Sequence, residues 1–279
     1  MNNTPNTSVP NYDLTQYTMP GKSLESGSTQ MSDTVSFFDS ETQGAFHHES
    51  SLGSIIRQSS KASSNYSENL ILQKYILPHL PSLANLKLDD IISQRASKYK
   101  SLISIPDKKI AIFGLNGSLI LEEDHVVNGA LERKIYIRAG IEALFKAIAP
   151  CYDIWIWSAL SHQLTWQMVK KIDPEMKYIS MVLSKQNCTL VNGVLVKDLD
   201  IYVNIPKNKT VIIDCTLSSF IAHPSNGLLI SEFKESAIDN ELANAQELLL
   251  MISNSEDVRE DLAKLFGIEF FLVINKILK

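Results

Sequence analysis

Apolar positions fall into two regimes along the chain. Residues 1 to about 66 are rich in Ser, Asn, Thr, Gln and Gly, and their few apolar side chains follow neither a helical period nor the alternation of a strand. Such a stretch cannot bury enough surface to offset the entropy of ordering it, so a disordered tail is expected over residues 1–66. From Asn69 the pattern changes. Leu70, Ile71, Tyr75, Ile76 and Leu77 recur at helical spacing until Pro78 and Pro81 break the run. Leu88, Ile91 and Ile92 then mark one side of a second helix within Leu86 to Tyr99. Residues 67–105 read as a helical extension that packs on the outside of the following domain, with a docking helix for a partner as the alternative.

The next stretch organises the rest. Ile110 to Phe113 run straight into Gly114-Leu115-Asn116-Gly117-Ser118, and a short continuous apolar run ending at glycines predicts a strand buried on both faces of a parallel sheet. Asn128-Gly129 between apolar residues signals a hairpin, with Arg133 to Ile137 as its return strand. Ile141, Leu144, Phe145 and Ile148 form an amphipathic helix stopped at Pro150, and Tyr152 to Trp157 form a second buried strand ending at Ser158. A helix from about His162 to Lys171 follows. Met181 to Tyr202 reads as a second hairpin insertion turning at Asn192-Gly193. Thr210 to Ile213 is a third core strand, with Asp214 at its end, and Leu228 to Ile230 is a fourth. Two helices close the domain, the second with Ser255 as cap, Glu256 and Asp257 in its first turn and Gly267 past its end. Phe270 to Ile274 is too short to span a bilayer and reads as a docked helix or edge strand. This order is the grammar of a doubly wound α/β domain with two β-hairpin insertions over residues 106–266, followed by an apolar tail at 267–279.

Composition narrows the partners. Of 279 residues 44% are hydrophobic, enough for one full-sized domain plus an extra segment. The net charge of -5 gives no general pull toward nucleic acid or anionic lipid, so a basic partner fits better than an acidic one. Cys151, Cys188 and Cys215 form no Cys-x-x-Cys pair, which argues against a disulfide framework or a zinc site and for a reducing compartment. No apolar core follows a basic start, the acidic residues of the tail oppose a mitochondrial presequence, and no stretch reads as a transmembrane segment. An intracellular protein is expected, with cytoplasm or nucleus ahead of the mitochondrial inner membrane.

Arg138-Ala139-Gly140, Ile154 to Ser158, Val196-Lys197-Asp198-Leu199, Val211-Ile212-Ile213-Asp214 and His223-Pro224-x-Asn226, taken together and in this order, resemble the NLI-interacting-factor-like phosphatases. These include the small C-terminal-domain phosphatases of the haloacid dehalogenase superfamily, and the resemblance covers roughly residues 106 to 266. It implies a magnesium-dependent phosphoserine/threonine phosphatase with Asp-x-Asp-x-Thr after the first strand, the first Asp as nucleophile and the second as acid/base. By the same resemblance Ser158 and Lys197 would hold phosphoryl oxygens, Ser118 stands for the Thr, and Asp214 would face the metal. Asp214-Cys215 and Glu256-Asp257-Val258-Arg259 are also similar to the presequence-receptor branch of the mitochondrial inner-membrane translocase.

The departures decide the expectation. Gly114 stands where the nucleophile should be, Asn116 where the acid/base should be, and Cys215 replaces the second metal-side residue. Losing a covalent nucleophile typically costs on the order of a millionfold in turnover. One remaining carboxylate, Asp214, facing one Lys197 leaves the pocket neutral without magnesium, so no cofactor and a direct Lys197–Asp214 ion pair are expected. The leading reading is a pseudophosphatase used for protein interaction, and the alternatives are an active serine/threonine phosphatase requiring magnesium or a translocase-receptor-like subunit. A phosphate cradle of loop amides with Ser118, Ser158 and Lys197 would instead make a phosphopeptide reader. A dinucleotide loop is disfavoured because the third glycine is missing. Trp155, Trp157 and Cys188 read as packing residues, and His162 as a helix-start residue.

Overall fold

The computed structural model describes residues 75–83, 86–96, 102–104, 106–127, 130–235, 239–269 and 272. The tail over 1–66, the Asn128-Gly129 turn and all of Phe270 to Ile274 except Leu272 lie outside the described residues.

Five parallel strands build the central sheet in the order β5-β4-β1-β8-β9. Strand β1 (Lys109–Phe113) is its middle, paired on one side with β4 (Tyr152–Trp157) and on the other with β8 (Thr210–Asp214). Ile110, Ala111, Ile112 and Phe113 are all fully buried, as expected for a run without polar alternation. The chain steps from β1 out to β4 and β5, then returns past β1 to β8 and β9. The carboxyl end of β1 therefore lies where the winding reverses, which is where open α/β sheets form their crevice.

Strands β2 (Ile120–Val127) and β3 (Ala130–Ile137) form an antiparallel hairpin in register from Ile120↔Ile137 to Val127↔Ala130. Edge strand β5 (Ile179–Leu183) corrects the sequence reading: Met181 to Leu183 belong to the main sheet, and the second hairpin is only β6 (Thr189–Val191) with β7 (Val194–Val196). The tight turn between them places Asn192 and Gly193 at φ 49° and 84°. Gly227–Leu229 is β9, pairing with the end of β8.

Among the described residues six α-helices flank these strands. In chain order they are α1 (Leu80–Leu83), α2 (Leu88–Ala96), α3 (Ile141–Ile148), α4 (His162–Ile172), α5 (Glu241–Met251) and α6 (Val258–Phe266). Helix α3 buries Ile141, Leu144, Phe145 and Ile148 on the sheet, with Phe145 5.4 Å from Phe113 between ring centroids. Two helix expectations need correction. Pro78 and Pro81 do not end helical structure; each falls in the first turn of a short piece, Leu77–His79 and then α1, where a missing N–H is tolerated. The cap of α6 is Asp257, whose carboxylate accepts the Arg259 amide at 2.9 Å, and Ser255 instead donates its hydroxyl to Asp261. Gly267 terminates that helix in the left-handed region, as read from the sequence. Trp155 and Trp157 are core residues, the first donating its indole N–H to Asp153 at 2.7 Å. Among the described residues no helix is long and apolar enough to cross a membrane.

Candidate functional site

The loop after β1 is held shut by backbone contacts. Gly114 N–H donates to Ile213 O at 2.8 Å, extending the β1–β8 ladder, and Gly117 turns the chain at φ 74° with its carbonyl accepting Phe233 N–H at 2.8 Å. Ser118 is completely buried, and its hydroxyl accepts the Cys215 amide at 3.0 Å. Asn116 alone of residues 114–118 is exposed.

At the end of β8, Asp214 fills the space in front of Gly114. A Cβ built on Gly114 would lie 2.4 Å from Asp214 Oδ2 and 2.9 Å from Ser118 Oγ, so glycine is what allows the carboxylate to sit there. The same Oδ2 is in direct contact with Lys197 Nζ, and Oδ1 accepts the Thr216 amide at 2.8 Å. Lys197 reaches this point from the turn after β7, where its amide donates to Ser219 O at 2.6 Å. Both charged groups are nearly inaccessible, at 4% and 5% side-chain exposure. Their mutual contact is what permits two charges in so dry a place.

Cys215 closes the back of the loop, its thiol 3.7 Å from Asn116 O. Burial, assisted by the neighbouring Asp214 charge, pushes that thiol up to about 11. It is therefore a protonated packing group and not a thiolate. Ser158 stands at the end of the adjoining strand with its hydroxyl accepting the Leu160 amide at 3.0 Å, and among the described residues no hydrogen bond joins it to Lys197 or Asp214. The structure thus gathers Gly114, Ser118, Lys197, Asp214 and Cys215 around one point and leaves Ser158 to its own turn.

Three residues that matter here had no role assigned from sequence. Arg138, 1% exposed, donates to Ser118 O at 2.8 Å, to Ser231 O at 2.9 Å and to Asp239 at 2.6 Å, tying the first loop to the segment beyond β9. Asp198 is fully buried beside Lys197 and accepts from Arg95 Nε at 2.6 Å and the Asp200 amide at 3.0 Å, with His223 Nε2 at 2.9 Å. Burial pushes its carboxyl up, but the hydrogen bonds from His223 and Arg95 outweigh this and hold it below the usual range. The signal for these residues was their place inside the motif blocks: Arg138 before Ala-Gly, Asp198 after Lys197, and His223 before Pro224.

The model of the NLI interacting factor-like phosphatases matches residues 107–259, more than half of the chain. The chain belongs to that family. It is 27% identical over 150 residues to the human mitochondrial import inner membrane translocase subunit TIM50, covering 53% of this chain and 41% of that protein. It is likewise 27% identical over 147 residues to the CTD small phosphatase-like protein 3 of Caenorhabditis elegans, covering 51% of each. The chain thus spans about half or less of the length of these curated relatives. Among solved structures it aligns with that of Fcp1, an essential RNA polymerase II CTD phosphatase, at a TM-score of 0.38 and 15% identity over 63% of this chain and 54% of that one.

The magnesium ion of the family's chemistry does not fit the residues present. Magnesium is held mainly through carboxylates, and here the Asp214 carboxylate has one oxygen against an ammonium and the other on a backbone amide. Gly114 offers no ligand and Cys215 a protonated, soft one. Nearby, Asp198, Asp200 and His223 present ligand atoms within 4.8 Å of one another. That cluster is already neutralised by Arg95, which contacts both aspartates at 2.6 Å, and by Lys207 on Asp200.

Proposed function

We propose that the protein is a catalytically inactive member of its family and works as a protein-interaction or regulatory module. Residues 106–266 would form the module, with a helical extension over 67–105 and an apolar tail over 267–279. One observation carries the reading: the Asp214 carboxylate, held by Lys197, occupies the volume in front of Gly114 that a nucleophile's side chain would need. A glycine cannot attack phosphorus, and the Asn116 amide cannot pass a proton near neutral pH. One of the same contacts weighs against a phosphate cradle, because Lys197, the cation that would hold a phosphoryl oxygen, is already paired with Asp214.

The match to the translocase subunit TIM50 favours one particular form of this role, a subunit of an assembly at the mitochondrial inner membrane with protein partners. The match to a CTD small phosphatase-like protein is the observation on the side of an active phosphatase. A hydrolysis assay on the full chain separates the two. Aryl phosphate and a phosphoserine peptide, each with and without magnesium, should be cleaved no faster than in buffer. Magnesium-dependent turnover would refute inactivity.

A further inference from the structure

We propose that residues 75–83 and 86–96, which lie upstream of the family-matched region, are a strap bound in cis across the mouth of the pocket. The carboxyl end of the sheet is thereby closed to a peptide ligand until the first half of the strap is displaced. This goes beyond the reading given above and holds whether or not the pocket hydrolyses phosphate.

The strap is anchored at both sides of the crevice. On the β9 side, Tyr75 is buried and its hydroxyl donates to Glu241 Oε1 at 3.0 Å at the start of α5. Glu241 also accepts the Ser231 amide at 3.3 Å and the Ser231 hydroxyl at 3.2 Å, just past β9. In the middle, His79 is half-buried within electrostatic range of both Asp214 and Glu232. Glu232 lies against the first loop, its Cγ 3.5 Å from where a Cβ on Gly117 would stand. On the far side, α2 rests on the small β6–β7 hairpin, with Asn192 donating to Asp90 at 3.0 Å and Arg95 bridging Asp198 and Asp200. The segment therefore runs from α5, with His79 within electrostatic range of Asp214 at the end of β8, to the insertion beyond β5.

Its inner face is apolar and fully used. Ile76, Leu83, Leu86 and Ile91 are all buried in the same core cluster as the strands. A helical segment that lays its apolar side chains into a groove is a recurring mode of peptide recognition, and here the ligand is part of the chain. A tethered ligand acts at an effective concentration of about millimolar. A free peptide entering the same groove must therefore present similar chemistry, an apolar helical face with an aromatic hydroxyl for Glu241, and must outcompete that concentration.

Native cysteines report on the strap in the full chain. Cys215 is buried at the first loop, next in sequence to Asp214, whose charge acts on His79 of the strap, and Cys188 is buried beside Ser158 and Ser184. In the double variant Tyr75→Ala, Ile76→Ser, Cys215 should be alkylated by iodoacetamide at least tenfold faster than in the unaltered protein, while Cys188 keeps its rate. A synthetic peptide of residues 75–86 added to the variant should return Cys215 toward its slow rate. The proposal is overturned if Cys215 stays slow while amide exchange shows residues 77–83 released. It is equally overturned if both cysteines accelerate together, since the segment would then be part of the fold and not a removable cover.

Discussion

Replacing Lys197 by Met keeps the length of the side chain and removes its charge, leaving the Asp214 carboxylate buried against Gly114 with the Thr216 amide as its remaining hydrogen-bond donor among the described residues. Because both partners are at 5% exposure or less, solvent cannot take over the lost contact. Breaking one side of such a buried pair costs about 3–5 kcal/mol, against a total stability of about 5–15 kcal/mol for a domain. Asp214→Asn should cost a comparable amount, since it strands the ammonium while retaining an acceptor for Thr216. The double variant carries no buried charge and should fall within about 2 kcal/mol of the unaltered protein. A coupling energy above about 3 kcal/mol is therefore expected. Urea unfolding followed by far-UV circular dichroism and by the buried Trp155 and Trp157 reads it: at a slope of about 2 kcal/mol per molar, each single variant loses about 1.5–2.5 M in midpoint and the double about 1 M or less. Two small and additive single effects, each under about 1 kcal/mol, would mean the pair is hydrated and the pocket open, and the reasoning would fail.

Three other outcomes follow from the same contacts. Gly114→Ala drives a Cβ to within 2.4 Å of the Asp214 carboxylate and should destabilise by about 1–3 kcal/mol in urea unfolding, whereas a spacious pocket would tolerate it freely. The carboxyl of Asp198 is held down in the folded state, so its contribution is fully present above the ordinary Asp value of 3.8 and is lost as pH falls through the lower folded value. The stability gap between the unaltered protein and Asp198→Asn should thus be constant from pH 7 to about pH 5 and shrink below pH 4, and a gap that widens in acid would contradict the assignment. Cys215, raised from 9.0 to about 11, should carry roughly a hundredfold less thiolate at pH 8 than an ordinary thiol, so mass spectrometry should find the half-buried Cys151 alkylated well before it.

Much of the sheet was legible because its central strands carry no polar alternation: Ile110–Phe113, Tyr152–Trp157 and Thr210–Ile213 announce themselves as strands covered on both faces. Edge strand β5 was not, since Ile-Ser-Met-Val-Leu is short, follows a run of turns and merges into the hairpin after it. Pro78 and Pro81 were misleading for a local reason, namely that proline breaks a helix interior and suits a first turn, and spacing alone does not say which turn it occupies. At the site, the resemblance brought Gly114, Lys197 and Asp214 to one place, and charge counting alone predicted that the last two would pair. What no sequence pattern conveys is that the Asp214 carboxylate stands in the volume before Gly114, that Arg138 and Asp198 are buried ions locking the surrounding loops, or that the segment from Tyr75 crosses the same crevice. Each depends on contacts between residues about 100 or more positions apart.

A calorimetric titration of the full chain with magnesium chloride at neutral pH, with Asp214→Asn as its control, meets the central claim head on. A pocket whose Asp214 carboxylate is committed to Lys197 gives no saturable binding through the millimolar range and no difference between the two proteins. A saturable site of one ion per chain that disappears in Asp214→Asn would contradict the account.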